Sequence, residues 1–380
     1  MHARFAKYSP LIEANRKQPL FVGFFLELNK KTFYILISLA IFFEGQMFKN
    51  IRLYTTAVYL GACLCLFGSL QAEEAFSYQP ALDPQTELFL KDFNRIQQQP
   101  FDKLDVSTMR QTLPPSSTTI PVKKTQDLNI KGPLGLIPIR IYTPEGKGPF
   151  PVYISFEGGG WVAGNLDSND AICREICKRS GCLVVSVEYR KAPENPFPKP
   201  LEDCYAATAW IADHIQEFNG NPKLLAVGGD SAGGNLAAAV TLLARAKGPF
   251  LRCQVLMYPV TNFDFDTLSY YENAEGYLLT RDIMKRFWSL YLNGADGKNS
   301  LASPLQANLY KLPPAMVIVA YFDPLRDEGL AYAYQLKKFG VPVVLRNYPT
   351  IHGFISFGNQ LKLSHQALAE ISQFLKQQMR

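Results

Sequence analysis

From residue 119 onward, short apolar runs rich in β-branched and aromatic residues alternate with longer stretches of helical spacing. The runs at 119–130, 136–142, 151–156, 182–188, 223–228, 252–258, 315–321 and 342–347 predict strands. Helical patterns lie at 168–179, 200–218, 234–246 and 326–339. A last one follows at 362–378, where Leu361, Leu368, Ile371 and Leu375 mark one face. Alternation of this kind predicts an α/β architecture: a mostly parallel sheet with helices on both faces. The first two strands, joined by Gly132-Pro133-Leu134-Gly135, read instead as an antiparallel hairpin. Two stretches do not fit the sheet. Residues 83–113 read as short helices, and residues 262–300 are rich in aromatics such as Phe263, Tyr277, Phe287, Trp288 and Tyr291.

The pattern before residue 80 is different. Met47-Phe48-Lys49-Asn50-Ile51-Arg52 is a short basic start, an apolar stretch covers 53–70, and Gln71-Ala72-Glu73-Glu74 follows. This is the layout of a secretory signal peptide cleaved after Ala72, and it predicts an exported protein. Two other readings compete. Leu60-Gly61-Ala62-Cys63 resembles a lipoprotein processing site, which would leave Cys63 lipidated and tether the protein to a membrane. An anchor across 51–70 is about long enough to span a bilayer. The signal peptide ranks above lipidation because the apolar stretch before Cys63 is short. Nothing in 1–46 looks like part of the following domain. The expected organisation is therefore a non-structural upstream extension at 1–46, a true start at Met47, a signal peptide at 47–72 and one domain at 73–380.

Composition changes this picture little. A hydrophobic content of 47% with 19% charged residues suits a folded core. The net charge of +6 sits mostly in the leader. Residues 1–72 hold eight Lys and Arg against three Asp and Glu, which leaves 31 basic and 30 acidic residues afterwards. That balance gives no reason to propose a nucleic-acid partner. Beyond the leader there are five cysteines, an odd number that implies no disulfide framework and sits imperfectly with export. Cys173 and Cys177 lie four apart but lack a second pair or a nearby His, so no metal site is expected.

Candidate chemistry centres on Gly229-Asp230-Ser231-Ala232-Gly233. A short buried strand precedes it and a helix rich in Ala and Leu follows. A serine on such a tight strand-to-helix turn is a nucleophile elbow: the glycines permit the turn, and the following helix aims free N–H groups at developing negative charge. A nucleophilic Ser231 needs a base, and the order expected after this elbow is Ser, acid, His. That order removes His2 and His214. His365 lies in the amphipathic terminal helix and reads as a surface or packing residue. His352 occupies a loop flanked by Pro349 and Gly353 beyond the last strand, where it can reach the sheet's carboxyl edge. The acid is read as Asp323, the first carboxylate past the strand at 315–321. Its rivals Asp327 and Glu328 follow Pro324 and suit a helix start. Gly158-Gly159-Gly160, after the strand at 151–156, leaves backbone N–H groups bare. Together with the N–H of Ala232 these could form an oxyanion hole.

From about residue 82 to its end the chain resembles the hormone-sensitive-lipase-like family of α/β-hydrolases, in its bacterial esterase branch. The resemblance is carried by Gly158–Gly160 with Trp161, by Tyr189-Arg190-Lys191-Ala192-Pro193-Glu194 with Phe197-Pro198, and by Gly229-Asp230-Ser231-Ala232-Gly233-Gly234. Glu272–Thr280, Asp323-Pro324-Leu325 and His352-Gly353-Phe354 complete it. It implies an α/β-hydrolase fold with an eight-stranded sheet and a helical cap formed near 80–113 and 262–300. It also implies a triad of Ser231, Asp323 and His352, an oxyanion hole of Gly159, Gly160 and Ala232, and hydrolysis of carboxylic esters through an acyl-enzyme. One position departs from the family. Glu157 stands where a His normally precedes the glycine run. An ionised carboxylate aimed inward would oppose the oxyanion. The expectation is that Glu157 turns away, hydrogen-bonds loop N–H groups and leaves activity intact.

The resulting function is a serine esterase acting on short-to-medium-chain esters without metal or organic cofactor. The same residues would serve an amidase or deacetylase. A non-catalytic ligand-binding homologue is the third reading, disfavoured because His352 stands in a matching loop.

Overall fold

The computed structural model describes residues 80–96, 101–111, 120–358 and 360–380. The proposed extension, signal peptide and Cys63 site lie outside the described residues. Two helices come first, α1 (Pro84–Ile96) and α2 (Val106–Gln111). The hairpin β1 (Lys124–Gly132) and β2 (Gly135–Thr143) follows, then β3 (Phe150–Phe156), α3 (Asp170–Ser180), β4 (Leu183–Val187) and α4 (Lys199–His214). After β5 (Gly220–Asp230) come α5 (Ala232–Lys247), β6 (Cys253–Met257), α6 (Leu268–Glu272) and α7 (Arg281–Leu292). The chain closes with β7 (Ala315–Phe322), α8 (Arg326–Lys338), β8 (Val343–Ile351) and α9 (Lys362–Gln378). The strands form one sheet of order β1-β2-β4-β3-β5-β6-β7-β8. β1–β2 and β2–β4 are antiparallel and every later pairing is parallel, as the alternating pattern predicts.

Period two along the central strands divides the core. Val152, Ile154 and Phe156 of β3 pack with Val185 and Val227 against α4, α5 and α8. Tyr153, Val184, Ala226 and Val255 face the other way, against Ile172 and Ile176 of α3 and Leu368, Ile371 and Leu375 of α9. Both faces of the sheet are therefore buried, which is why its parallel strands read as continuous apolar runs. The five cysteines of the domain are all buried free thiols.

Several boundaries differ from the sequence reading for local reasons. β1 begins at Lys124 rather than near 119, because Pro121 has no N–H to donate to a ladder and Ile120 gives its carbonyl to Arg174. α4 stops at His214, and the 3₁₀ turn Ile215–Phe218 ends on Asn219 in the left-handed region. β8 runs on to Ile351 through Pro349, which sits at a break in the register between Ala320–Tyr348 and Phe322–Ile351. The segment 262–300 folds into two short helices, the second capped by Thr280, whose Oγ1 accepts the N–H of Ile283.

Candidate active site

The carboxyl ends of three parallel strands of the sheet supply the three predicted side chains. Ser231 follows β5, Asp323 follows β7 and His352 follows β8. His352 Nε2 lies 2.8 Å from Ser231 Oγ, and His352 Nδ1 lies 2.7 Å from Asp323 Oδ2. Asp323 is fully buried, and its second oxygen accepts the N–H of Leu325 at 2.8 Å. The Tyr258 ring meets the imidazole edge-on at 4.8 Å between centroids. Each member of the relay is thus held by a contact outside the relay itself.

Ser231 has φ 55° and ψ −119°, a conformation an L-residue adopts at a cost of about 1–3 kcal/mol. Its surroundings fix it there. Its N–H donates to Met257 O at 2.9 Å, and its carbonyl accepts Asn235 N–H at 3.1 Å and Val260 N–H at 3.3 Å. The elbow glycines are required by close approach. A Cβ on Gly229 would stand 2.5 Å from the Gly233 carbonyl carbon, and one on Gly233 would stand 2.6 Å from Glu157 O, with Phe156 O closer still. The start of α5 therefore packs directly on the root of the glycine run.

That run has no side chains, so it is shaped from outside. Gly159 and Gly160 have φ of 101° and 62°, within the range that glycine tolerates at least cost. Gly158 N–H donates to Asp230 Oδ1 at 2.9 Å, which ties the run to the residue before Ser231. Further on, Gly159 O accepts from Val162 and Ala163, and Trp161 O accepts Ala192 N–H. The N–H groups of Gly159, Gly160 and Ala232 donate to no acceptor among the described residues, which leaves them available to a ligand oxygen. Burial pushes the Asp230 carboxyl up to about 6, against the opposing pull of His352.

The other candidates separate cleanly. Asp327 accepts from Ser269 N–H and pairs with Arg326, whereas Glu328 is buried and accepts the N–H groups of Thr261 and Asn262. His214 contacts Trp210 O, and His365 faces Arg179 on the surface of α9. The partner of the Glu157 side chain is not the loop N–H that was expected. The Lys191 ammonium lies 2.6 Å from Oε1, an ion pair made possible because β3 and β4 are neighbours whose ends lie side by side.

A family model described as alpha/beta hydrolase fold matches residues 153–356. The chain belongs to that family. Among curated α/β-hydrolase relatives, the carboxylic ester hydrolase LipN of Mycobacterium tuberculosis is 45% identical over 240 residues, 60% of this chain and 64% of LipN. The match thus spans somewhat less than two thirds of that relative. Esterase LipI of the same organism is 37% identical over 302 residues, 76% of this chain and 92% of its own length. Among solved structures, a thermostable esterase from Pseudomonas putida ECU1011 superposes with a TM-score of 0.76 at 34% identity, covering 80% of this chain and 99% of that one.

Sequence reasoning missed several supporting residues of this α/β-hydrolase. Asp230 was visible only as the variable position of the elbow, and Lys191 only as part of a matching segment. Asn273 donates to Asp323 O at 3.2 Å. Arg110 of α2 donates to Val162 O and Ala192 O and pairs with Glu194, bracing the glycine loop from the segment before the sheet. The aromatic segment reaches the same loop: Trp161 stacks on Tyr291 with centroids 4.2 Å apart, and the Phe287 ring fills the space a Cβ on Gly160 would need.

Proposed function

We propose that the chain is a serine carboxylesterase hydrolysing short-to-medium-chain carboxylic esters. The observation that carries the reading is the continuous hydrogen-bonded relay from Ser231 through His352 to Asp323 at the strand ends. Ser231 Oγ attacks the ester carbonyl as His352 Nε2 takes its proton. The tetrahedral oxyanion is held by the N–H groups of Gly159, Gly160 and Ala232, each worth about 3–4 kcal/mol where such a donor is lost. His352 then gives its proton to the departing alcohol. A water enters and attacks the acyl carbonyl as it loses a proton to His352, which returns that proton to Ser231 Oγ as the acid leaves. Asp323 holds the Nδ1–H tautomer and stabilises the imidazolium. Segments 80–113 and 262–300 serve as the cap, a reading supported by the contacts of Arg110, Phe287 and Tyr291 with the glycine loop.

Names of the relatives support ester hydrolysis, since LipN and LipI are called an ester hydrolase and an esterase. The engaged His352 weighs against a non-catalytic binding role. Hydrolysis of p-nitrophenyl esters from acetate to palmitate tests the proposal. Serine-dependent turnover greatest at short chains is expected. Equal turnover by Ser231→Ala, or none from the folded wild type, overturns it. We also propose export after cleavage at Ala72, with lipidation at Cys63 the alternative. N-terminal sequencing of the mature protein distinguishes them, and a mature protein retaining residues 1–46 refutes both.

A further inference from the structure

The Glu157–Lys191 ion pair stands at the root of the glycine run, and its two side chains are only 3% and 12% exposed. It belongs to a closed circuit. Lys191 Nζ donates to Glu157 Oε1 at 2.6 Å and to Tyr189 O at 2.7 Å, while Tyr189 Oη donates to Glu157 O at 2.8 Å. The ammonium also lies 3.7 Å from the centre of the Tyr189 ring. Side chain and main chain of Glu157 are therefore gripped by the same three-residue segment beyond β4. The next residue, Gly158, is tied to Asp230 beside the nucleophile. No residue of the run has a side chain to anchor it, so the positions of the Gly159 and Gly160 donors depend on these ties, on the bonds Gly159 O accepts from Val162 N and Ala163 N, and on the bond from Ala192 N to Trp161 O.

Stability does not account for the pair. Desolvating two charges commonly costs as much as their attraction returns, and an apolar pair of the same volume would fold as well or better. Here Glu157 Oε2 is left without a partner. Burial outweighs the pull of Lys191, and the Glu157 carboxyl is pushed up to about 7. A group held at such cost beside an oxyanion site calls for a functional reason.

We propose that the ionised Glu157–Lys191 pair positions the oxyanion-hole donors, and that protonation of Glu157 slackens the loop and lowers turnover. The inference rests on the esterase reading. Other groups facing Glu157 are Glu188 and Tyr189 beyond β4, Asp230 at the end of β5, Cys173 on α3 and Cys204 on α4. Burial drives Tyr189 and Cys204 well above their ordinary values and Cys173 up to about 12, while Asp230 sits at about 6. Mutating Glu157 alone separates its titration from that of Asp230.

The test compares kcat and KM for p-nitrophenyl acetate in the wild type and Glu157→Gln from pH 5 to 9, with thermal melting alongside. Gln has the shape of the protonated carboxyl and cannot ionise. At pH 8 the variant should lose about tenfold in kcat with KM within about twofold. Such a loss is smaller than the hundredfold or more that follows removal of a whole donor. The ratio of wild-type to variant kcat should fall towards one as pH drops, with a midpoint near 7, because the contribution of His352 cancels in the ratio. If Glu157→Gln fails to fold, the double variant Glu157→Leu/Lys191→Met removes the charges together. It should melt no lower than the wild type yet show the same pH-dependent ratio. A ratio independent of pH, or a change in KM alone, overturns the inference while leaving the esterase reading intact. Absence of Ser231-dependent turnover in the wild type overturns both.

Discussion

Replacing Asp323 by Asn probes the relay at its most constrained point. Asp323 is fully buried, with Oδ2 2.7 Å from His352 Nδ1 and Oδ1 accepting Leu325 N–H at 2.8 Å. An asparagine in the same rotamer must keep its carbonyl on Leu325 N–H, since the reverse orientation sets two donors face to face. Its NH₂ group then points at Nδ1, which can accept only as a lone pair. The imidazole proton moves to Nε2, opposite Ser231 Oγ, and the ring can no longer take the serine proton. A tautomer inversion of this kind lowers kcat about 10⁴-fold, or roughly 5 kcal/mol at about 1.4 kcal/mol per decade. Both the carbonyl and the NH₂ group of the asparagine keep a partner, so the melting temperature should shift by no more than a few degrees. The assay is kcat/KM for p-nitrophenyl acetate beside thermal melting. Asp327→Asn is the companion variant: Asp327 accepts from Ser269 N–H and Arg326, away from the imidazole, and should retain wild-type turnover within about threefold. A loss below tenfold in folded Asp323→Asn, or a larger loss in Asp327→Asn, refutes the assignment of the acid.

Three further outcomes follow from the same geometry. Gly233→Ala forces a methyl against two backbone carbonyls and should destabilise the fold by about 3 kcal/mol, measured by urea denaturation; an unchanged midpoint would contradict the packing described. Burial holds the folded Glu157 and Asp230 carboxyls at about 7 and 6, above their ordinary values of 4.5 and 3.8. The folded state thus binds protons more tightly than the unfolded state, and their contribution to stability is full below about pH 4 and is lost as pH rises through 6 to 7. Urea midpoints should therefore fall between pH 5 and 8, less steeply in Glu157→Gln, and equal slopes would sink this account. Arg326 pairs with Glu272 and Asp327, and its guanidinium lies 4.8 Å from the centre of the Tyr321 ring. Arg326→Met should cost about 2 kcal/mol, discounted because both carboxylates are partly solvated, and no loss in melting temperature would show that the pairs contribute nothing.

The sheet, the hairpin and the three relay residues were legible because each depends on a pattern local to the chain. Ser231, Asp323 and His352 each come within a few residues of an apolar run, and parallel strands bring such carboxyl ends to one edge. Local pattern could not supply what depends on contact between distant segments. Asn273, Arg110 and Lys191 act on residues from 34 to 84 positions away. Lys191 and Asn273 lie in segments that carry the family resemblance, but nothing in the local sequence of any of the three names its partner. The end of β8 was misjudged for a related reason. Pro349 reads as a terminator, but its carbonyl accepts the N–H of Asp83. The chain can therefore pass through a proline at this sheet edge without leaving an unpaired group there.

Glu157 shows how the two kinds of information combine. Sequence alone could say that a carboxylate beside an oxyanion hole must be neutralised or turned aside, because ionised and inward it would oppose the reaction. It could not say how, and loop N–H groups were the nearest donors along the chain. Those N–H groups are the ones an oxyanion would need, so a carboxylate that captured them would fill the hole. The fold avoids this by drawing Lys191 from the neighbouring strand end to Glu157, and by giving the one loop N–H that is captured, that of Gly158, to Asp230 instead. Two buried acids therefore hold the loop from either side while Gly159 and Gly160 keep their donors free. In this chain the carboxylate at this position is matched by a cation from another segment. Lys191→Met alone should accordingly harm turnover more than the double variant Glu157→Leu/Lys191→Met, because it leaves the acid unpaired beside the donors. The opposite ranking, read from kcat at pH 8, would mean that the lysine is dispensable and the acid is not.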